Sequence, residues 1–131
     1  MIEVHGWITL RESTDPEDEE LNLGKIIEQI DIKNKSLQWN NIKVKGLIGK
    51  FYLEFTIIHN RKTSKVDECM EYIEYIGSVA PGSYGIIYML DDEDINGKEN
   101  EFQVFALARG KIKKYKDSYL SPFIPTVEDE E

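Results

Sequence analysis

The sequence predicts an α+β fold, an antiparallel sheet with two helices packed on one face, in the order β-α-β-β-α-β-β. Three observations carry that prediction. Phe51, Leu53, Phe55 and Ile57 alternate with Tyr52, Glu54, Thr56 and Ile58, the period of a half-buried strand. Val66, Cys69, Met70, Ile73 and Ile76 recur at helical spacing. Two apolar runs, residues 86–90 and a second ending at Ala106-Leu107-Ala108-Arg109-Gly110, flank a polar stretch containing Asn96-Gly97, the pattern of a β-hairpin. The first six elements follow the split β-α-β plan of ferredoxin-like folds and leave one extra strand.

The remaining elements follow in order. Ile2, Val4, Ile8 and Leu10 alternate with Glu3, His5, Trp7 and Thr9, giving a first strand. Ser13-Thr14-Asp15-Pro16 reads as a helix start, with Asp15 as N-cap and Pro16 in the first helical position. Glu17, Asp18, Glu19 and Glu20 would suit the positive end of that helix. Leu23, Ile26, Ile27 and Ile30 continue at helical spacing to about Asn34, although Gly24 weakens the first turn and allows a start as late as Asn22. Residues 37–44 form a second strand, which Asn40-Asn41 could bend, and residues 46–49 a turn. Ser64-Lys65-Val66-Asp67 resembles a capping arrangement ahead of the second helix. Pro81 and Gly82 end that helix between Gly77 and Ala80. Residues 111–131, with Pro122 and Pro125, read as a largely irregular tail. The expected core is Phe51, Leu53, Phe55, Ile57, Cys69, Met70, Ile73, Ile86 and Phe102.

At 131 residues the chain is expected to form a single domain, residues 1–131, large enough to need neither metal nor disulfide. Sixteen Lys and Arg against twenty-five Asp and Glu leave a net charge of −9, which disfavours direct binding to nucleic acid or an anionic membrane and favours a cationic partner. Thirteen of the twenty-five acids fall in three clusters, at Asp15 with residues 17–20, at residues 91–94 and at residues 128–131. Cys69 is the only cysteine, which fits a reducing compartment. The N-terminus lacks the pattern of a signal peptide and no apolar run would span a bilayer, so a cytoplasmic location is expected.

No set of residues for catalysis stands out. Ser83 lies in Gly82-Ser83-Tyr84-Gly85, with the wrong spacing for a nucleophile elbow and a strand where a helix is needed. His5 and His59 are the only histidines, and neither has partners at zinc-site spacing. Cys69 falls on an apolar helical stripe and reads as core. Asp92-Glu93-Asp94-Ile95-Asn96-Gly97 fits the opening of a calcium loop, but the twelfth position is Gln103 where a bidentate Glu is required. No cofactor, catalytic residue or metal site is expected. Two alternatives stay open: a small acidic ion-binding or regulatory domain using the Asp92 loop, or a nucleic-acid-associated protein using the basic run Arg109, Lys111, Lys113, Lys114 and Lys116 with Tyr115 inside it. The acidic block Asp91, Asp92, Glu93 and Asp94 on the hairpin is the first candidate for contact with a partner. Tyr84 and Tyr88 on the adjoining strand are the aromatic anchors, and Glu17, Asp18, Glu19 and Glu20 the second choice.

A family resemblance joins these features. His5-Gly6-Trp7, the acidic segment after Asp15, Ala80-Pro81-Gly82-Ser83-Tyr84-Gly85 and Asp91-Asp92-Glu93-Asp94 resemble the bacterial immunity proteins of the family numbered seven. So do Asn100-Glu101-Phe102, Ala108-Arg109-Gly110 and the tail Leu120-Ser121-Pro122-Phe123-Ile124-Pro125-Thr126-Val127-Glu128-Asp129, with Phe123 where a small residue or Cys is expected. The resemblance spans nearly the whole chain. It implies a non-enzymatic α+β protein; the chain itself is expected to be monomeric or weakly dimeric. Such a protein binds and neutralises the C-terminal domain of a cognate toxin in a polymorphic toxin or contact-dependent competition system. The toxin implied is a nuclease, hence basic.

Overall fold

The computed structural model describes residues 1–15, 21–36, 42–59, 64–92, 97, 100–117 and 119–127. Six strands form one antiparallel sheet: β1 (Ile2–Leu10), β2 (Ile42–Leu47), β3 (Lys50–His59), β4 (Tyr84–Asp91), β5 (Gln103–Ala108) and β6 (Lys111–Lys116). Helices α1 (Leu23–Ser36) and α2 (Ser64–Val79) follow β1 and β3, and a four-residue helix α3 (Phe123–Thr126) lies in the tail. The strand order is β2-β3-β1-β4-β5-β6. Its first four members have the ferredoxin-like order expected from the split β-α-β pattern, and β5 and β6 extend the sheet beyond β4.

Strand alternation decides which side chains meet the helices. Ile2, Val4, Ile8 and Leu10 of β1, Leu53, Phe55 and Ile57 of β3, Ile87 and Met89 of β4 and Leu107 of β5 are buried on one face. Ile30 of α1 and Val66, Cys69, Tyr72, Ile73 and Ile76 of α2 close over them to form one core. The Tyr72 hydroxyl donates to the Ile30 carbonyl at 3.1 Å and so ties α2 to α1. Burial pushes the Cys69 thiol up to about 12, so it stays protonated and inert, as its place on the apolar stripe suggested.

Of the expected core residues, Phe51 and Met70 are only partly buried against it. Ile86 is a correction: it lies half-buried on the opposite face of the sheet. The run from 86 to 90 is apolar throughout, so its alternation cannot be read locally. Phe102 is also outside the core, stacked edge-on between Tyr88 and Phe123, with ring centroids 5.7 and 5.5 Å away.

Three expected boundaries move. Asp15 is not the N-cap of α1, whose first turn begins after Asn22. The Asn22 carbonyl accepts from the Ile26 N–H at 3.0 Å, while the Glu12 carboxylate accepts from the Asn22 backbone and side-chain amides at 2.9 and 3.0 Å. The expected turn at 46–49 narrows to Ile48-Gly49, since Gly46 and Leu47 pair with Phe51 and Lys50 inside β2 and β3. Residues 37–41 lie outside those described. The third change is in the tail, where residues 111–116 are the edge strand β6, joined to β5 by the two-residue turn Arg109-Gly110. Beyond it, Asn100 clips the chain. Its carbonyl accepts from the Phe123 N–H at 2.7 Å and its side chain bonds the Ile124 N–H and carbonyl at 2.9 and 3.0 Å.

Ile48 adopts φ 51°, is 102% exposed and is followed by Gly49 at φ 73°. A two-residue turn of this kind favours Asn-Gly, and a β-branched residue in the left-handed region is strained. Ile48→Asn is therefore expected to stabilise the fold by about 1 kcal/mol. A urea midpoint unchanged or lowered would refute this.

Candidate functional site

Among the described residues, the face of the sheet away from the helices is open over the middle of β3, β1 and β4, although Thr9 and Leu90 on the same face are buried. Alternation places Tyr52, Glu54 and Thr56 of β3, Glu3, His5 and Trp7 of β1, and Tyr84, Ile86 and Tyr88 of β4 on it. These strands are adjacent only because the sheet order inserts β1 between β3 and β4. Trp7 pairs across to Glu54 on one side and Ile86 on the other, and His5 pairs to Thr56 and Tyr88. The result is a broad concavity of about 620 Å³, bordered by Lys43 and Lys45 of β2.

The aromatics on this face are available. Trp7 is 42% exposed and Tyr84 41%, and the two rings meet edge-on at 6.4 Å. A folding core gains nothing from large aromatic side chains left in water, whereas interface centres are enriched in them. Tyr84 and Tyr88, expected as anchors from the strand pattern, both lie on this face. Trp7 and Tyr52 join them through sheet order. A Trp whose strand neighbours on the same parity are Glu3 and His5 was the available signal.

The acidic candidates divide. Asp91 is 7% exposed, at the end of β4 opposite Ile2 and on the core side, so its carboxylate is withdrawn from the open surface. Asp92 is open, and one carboxylate oxygen accepts from the Met1 ammonium at 2.6 Å. Glu93 and Asp94 lie outside the described residues, as do Glu17, Asp18, Glu19 and Glu20. Seven steps separate Tyr84 from Asp91, about 23 Å at the rise of a strand. Tyr84 and Asp91 therefore stand at opposite ends of β4, with Tyr88 between them.

Two of the residues considered for chemistry, Ser83 and Gln103, have structural partners. Ser83 is buried; its hydroxyl accepts from the Arg11 N–H at 3.1 Å and donates to the Arg11 carbonyl at 3.4 Å. Gly82 N–H also donates to the Arg11 carbonyl, at 3.1 Å. The Ala80-to-Gly85 segment thus bolts the start of β4 to the end of β1. Gln103, at the twelfth position of the calcium-loop pattern, is a strand residue paired with Met89 and Lys116. Among the described residues no group of three or more His, Cys, Asp or Glu could hold a metal. No described helix is long and apolar enough to cross a membrane.

The tail reaches the open face through its aromatics. Phe123 packs on Phe102, and Phe102 on Tyr88. Asp117 holds this arrangement from the other side. Desolvation opposes its ionisation, but hydrogen bonds from the Leu120 N–H, the Ser121 hydroxyl and the Tyr119 N–H outweigh it and hold the carboxyl below its ordinary value. Ser121 in turn accepts from the Phe102 N–H at 2.9 Å. A depressed folded pKa stabilises above the unfolded carboxylate value of about 3.9 and loses that contribution as pH falls through the folded pKa. Acidification through and below that value is expected to loosen the tail, read as coupled shifts of the Phe102 and Phe123 ring resonances. Rings that titrate independently would refute the coupling.

The model of the family described as Immunity protein 7 matches residues 1–129 of the chain. No curated protein and no solved structure matches.

Proposed function

The chain belongs to the Immunity protein 7 family, and from that premise we propose that it neutralises a cognate nuclease toxin domain of a bacterial polymorphic toxin or contact-dependent competition system. The family implies a toxin as partner; the nuclease chemistry and the contact residues are our reading. The observation that carries it is a sheet face centred on Trp7, Tyr84 and Tyr88 that no described residue covers, in a chain of net charge −9. A nuclease must attract phosphate and is therefore basic. An acidic inhibitor meets it faster than a neutral one, because opposite charge steers the encounter. Buried aromatic anchors then set the lifetime of the complex. The protein acts by occupancy, without turnover, in the cytoplasm where a nuclease toxin finds its substrate.

The contact is assigned to Tyr84 and Tyr88 together with Asp92, just past the far end of β4, and with Glu93 and Asp94, which follow it in sequence. Asp91, 7% exposed at the end of β4, is left out of the contact. Glu17, Asp18, Glu19 and Glu20 are the second choice for the acidic contact. The test is inhibition of the toxin domain encoded beside this chain, measured with purified components. Nuclease activity is expected to be lost at equimolar inhibitor. Association is expected to slow several-fold as salt rises toward about 0.5 M, where screening shortens to a few ångströms. A neighbouring toxin that is neither bound nor inhibited would overturn the reading.

A further inference from the structure

Among the described strand residues, the open sheet face carries the opposite charge to the chain as a whole. By strand register, Lys43 and Lys45 of β2, Lys50 of β3 and Lys111 and Lys113 of β6 share the open face with the exposed aromatics, since their neighbours Val44, Phe51 and Ile112 pack on the core side. Against those five lysines the strands place only Glu3 and Glu54 on the same face. Glu54 is already bridged by Lys45 at 2.8 Å, and Glu3 lies 3.5 Å from the His5 imidazole. Lys43 has no ion-pair partner among the described residues. A chain of net charge −9 thus keeps a cationic rim around an aromatic floor.

We infer that this face receives an acidic projection of the toxin domain with an apolar tip, distinct from the toxin's phosphate-binding cleft. The inference rests on the immunity reading above and names the chemistry of its contact surface. Trp7, Ile86, Tyr52 and Tyr88 offer an apolar floor, and Lys43 and Lys45 stand where a carboxylate beside an apolar tip would reach them. A phosphate-binding cleft is cationic, and like charges across an interface suppress binding. The lysine rim therefore excludes that cleft from this face. A nucleic-acid strand fits less well, because a polyanion crossing the sheet would pass Glu54 and Glu3 within the field of an acidic protein. The toxin's cleft is left to the acidic end of β4, or left open, while the projection anchors the complex.

The test is equilibrium binding of the full chain to a catalytically inactivated cognate toxin domain, by calorimetry at fixed salt. Trp7→Ala and the pair Lys43→Glu with Lys45→Glu are each expected to weaken binding by about 100-fold, the size of a central contact. The neutral pair Lys43→Gln with Lys45→Gln is expected to fall between, and it keeps the ordering measurable if the charge reversal disturbs the sheet. A cleft-bound oligonucleotide is expected to leave the contact in place. Variants that bind within about threefold of the parent would overturn the inference while leaving the immunity reading intact. So would reversal variants that bind more tightly, since that is the signature of a cationic partner on this face. Oligothymidylate that binds the free chain and competes with the toxin would overturn it in favour of a nucleic-acid surface. A parent chain that binds no toxin would remove the immunity reading and this inference together.

Discussion

Phe55→Ala is expected to remove about 3–5 kcal/mol of folding stability, read as a lowered urea midpoint with an unchanged slope. Phe55 is 4% exposed, and its ring lies over Gly6 of β1, in the space where a side chain at that position would stand. Gly6 and Phe55 are direct partners across the β1–β3 pairing. One large ring therefore fills two positions of the core layer, and truncation empties both. Gly6 cannot relax into the hole, because it has no side chain to move. The cost should exceed that of Ile57→Ala nearer the edge of the core, where Ile57 keeps 7% exposure. Equal losses at the two sites would show that the ring does not bridge them. A loss under about 1 kcal/mol at Phe55 would mean that the core is not built around it.

The ferredoxin-like half of the fold was legible because its signals are local. The alternation in β3 and the stripe in α2 each lie within one segment, and antiparallel order follows from the sequence of elements. The extension was not. In β6 only Ile112 marks the core side, since Lys114 and Lys116 on the same parity lie at the sheet edge, with the Lys114 ammonium 5.8 Å from the centre of the Phe105 ring. With one apolar residue in six there is no alternation to read, and edge strands commonly carry lysines for reasons of their own. The turn that precedes it is Arg109-Gly110, with φ 51° and 74°, rather than the Asn-Gly that announces such hairpins. Conversely, Asn96-Gly97 carries that announcement in a long connection between β4 and β5, where no two-residue turn is needed.

The candidate site divides along the same line. Tyr84 and Tyr88 share a strand and a parity, so their common face could be read from the chain. Whether that face is covered depends on which side α1 and α2 take, and Trp7 and Tyr52 come beside them only through pairings remote in sequence. The burial of Asp91 is equally non-local. It goes with its place opposite Ile2, at the paired ends of two interior strands. A run of four acids looks uniform in sequence, yet its first member belongs to a strand and its second to a loop tethered to the N-terminus.

Gly85→Ala is expected to destabilise the protein by roughly 3 kcal/mol or more, at the upper end for overpacking, whereas Gly24→Ala is expected to stabilise it by about 0.5–1 kcal/mol. Both changes add one methyl group, and the surroundings decide the sign. At Gly24, in the first turn of α1, an added Cβ would meet nothing within 4 Å. Alanine there only reduces the freedom of the unfolded chain and raises helix propensity. At Gly85 the same atom would overlap the Trp7 carbonyl and the Ile8 Cα of β1. Those are backbone atoms in the middle of the sheet and have no rotamer to change. Gly85 is paired on both sides, with Ile8 of β1 and Leu107 of β5, so it cannot shift without opening one of the two ladders. Strand separation there would also displace Trp7 and Tyr84, coupling the stability of β4 to the open face. Thermal unfolding of the two single variants and the double variant checks the argument. The sites lie on different elements with no shared partner, so their effects should add. A Gly85→Ala variant as stable as the parent would mean that β1 and β4 do not approach as closely as the glycine requires.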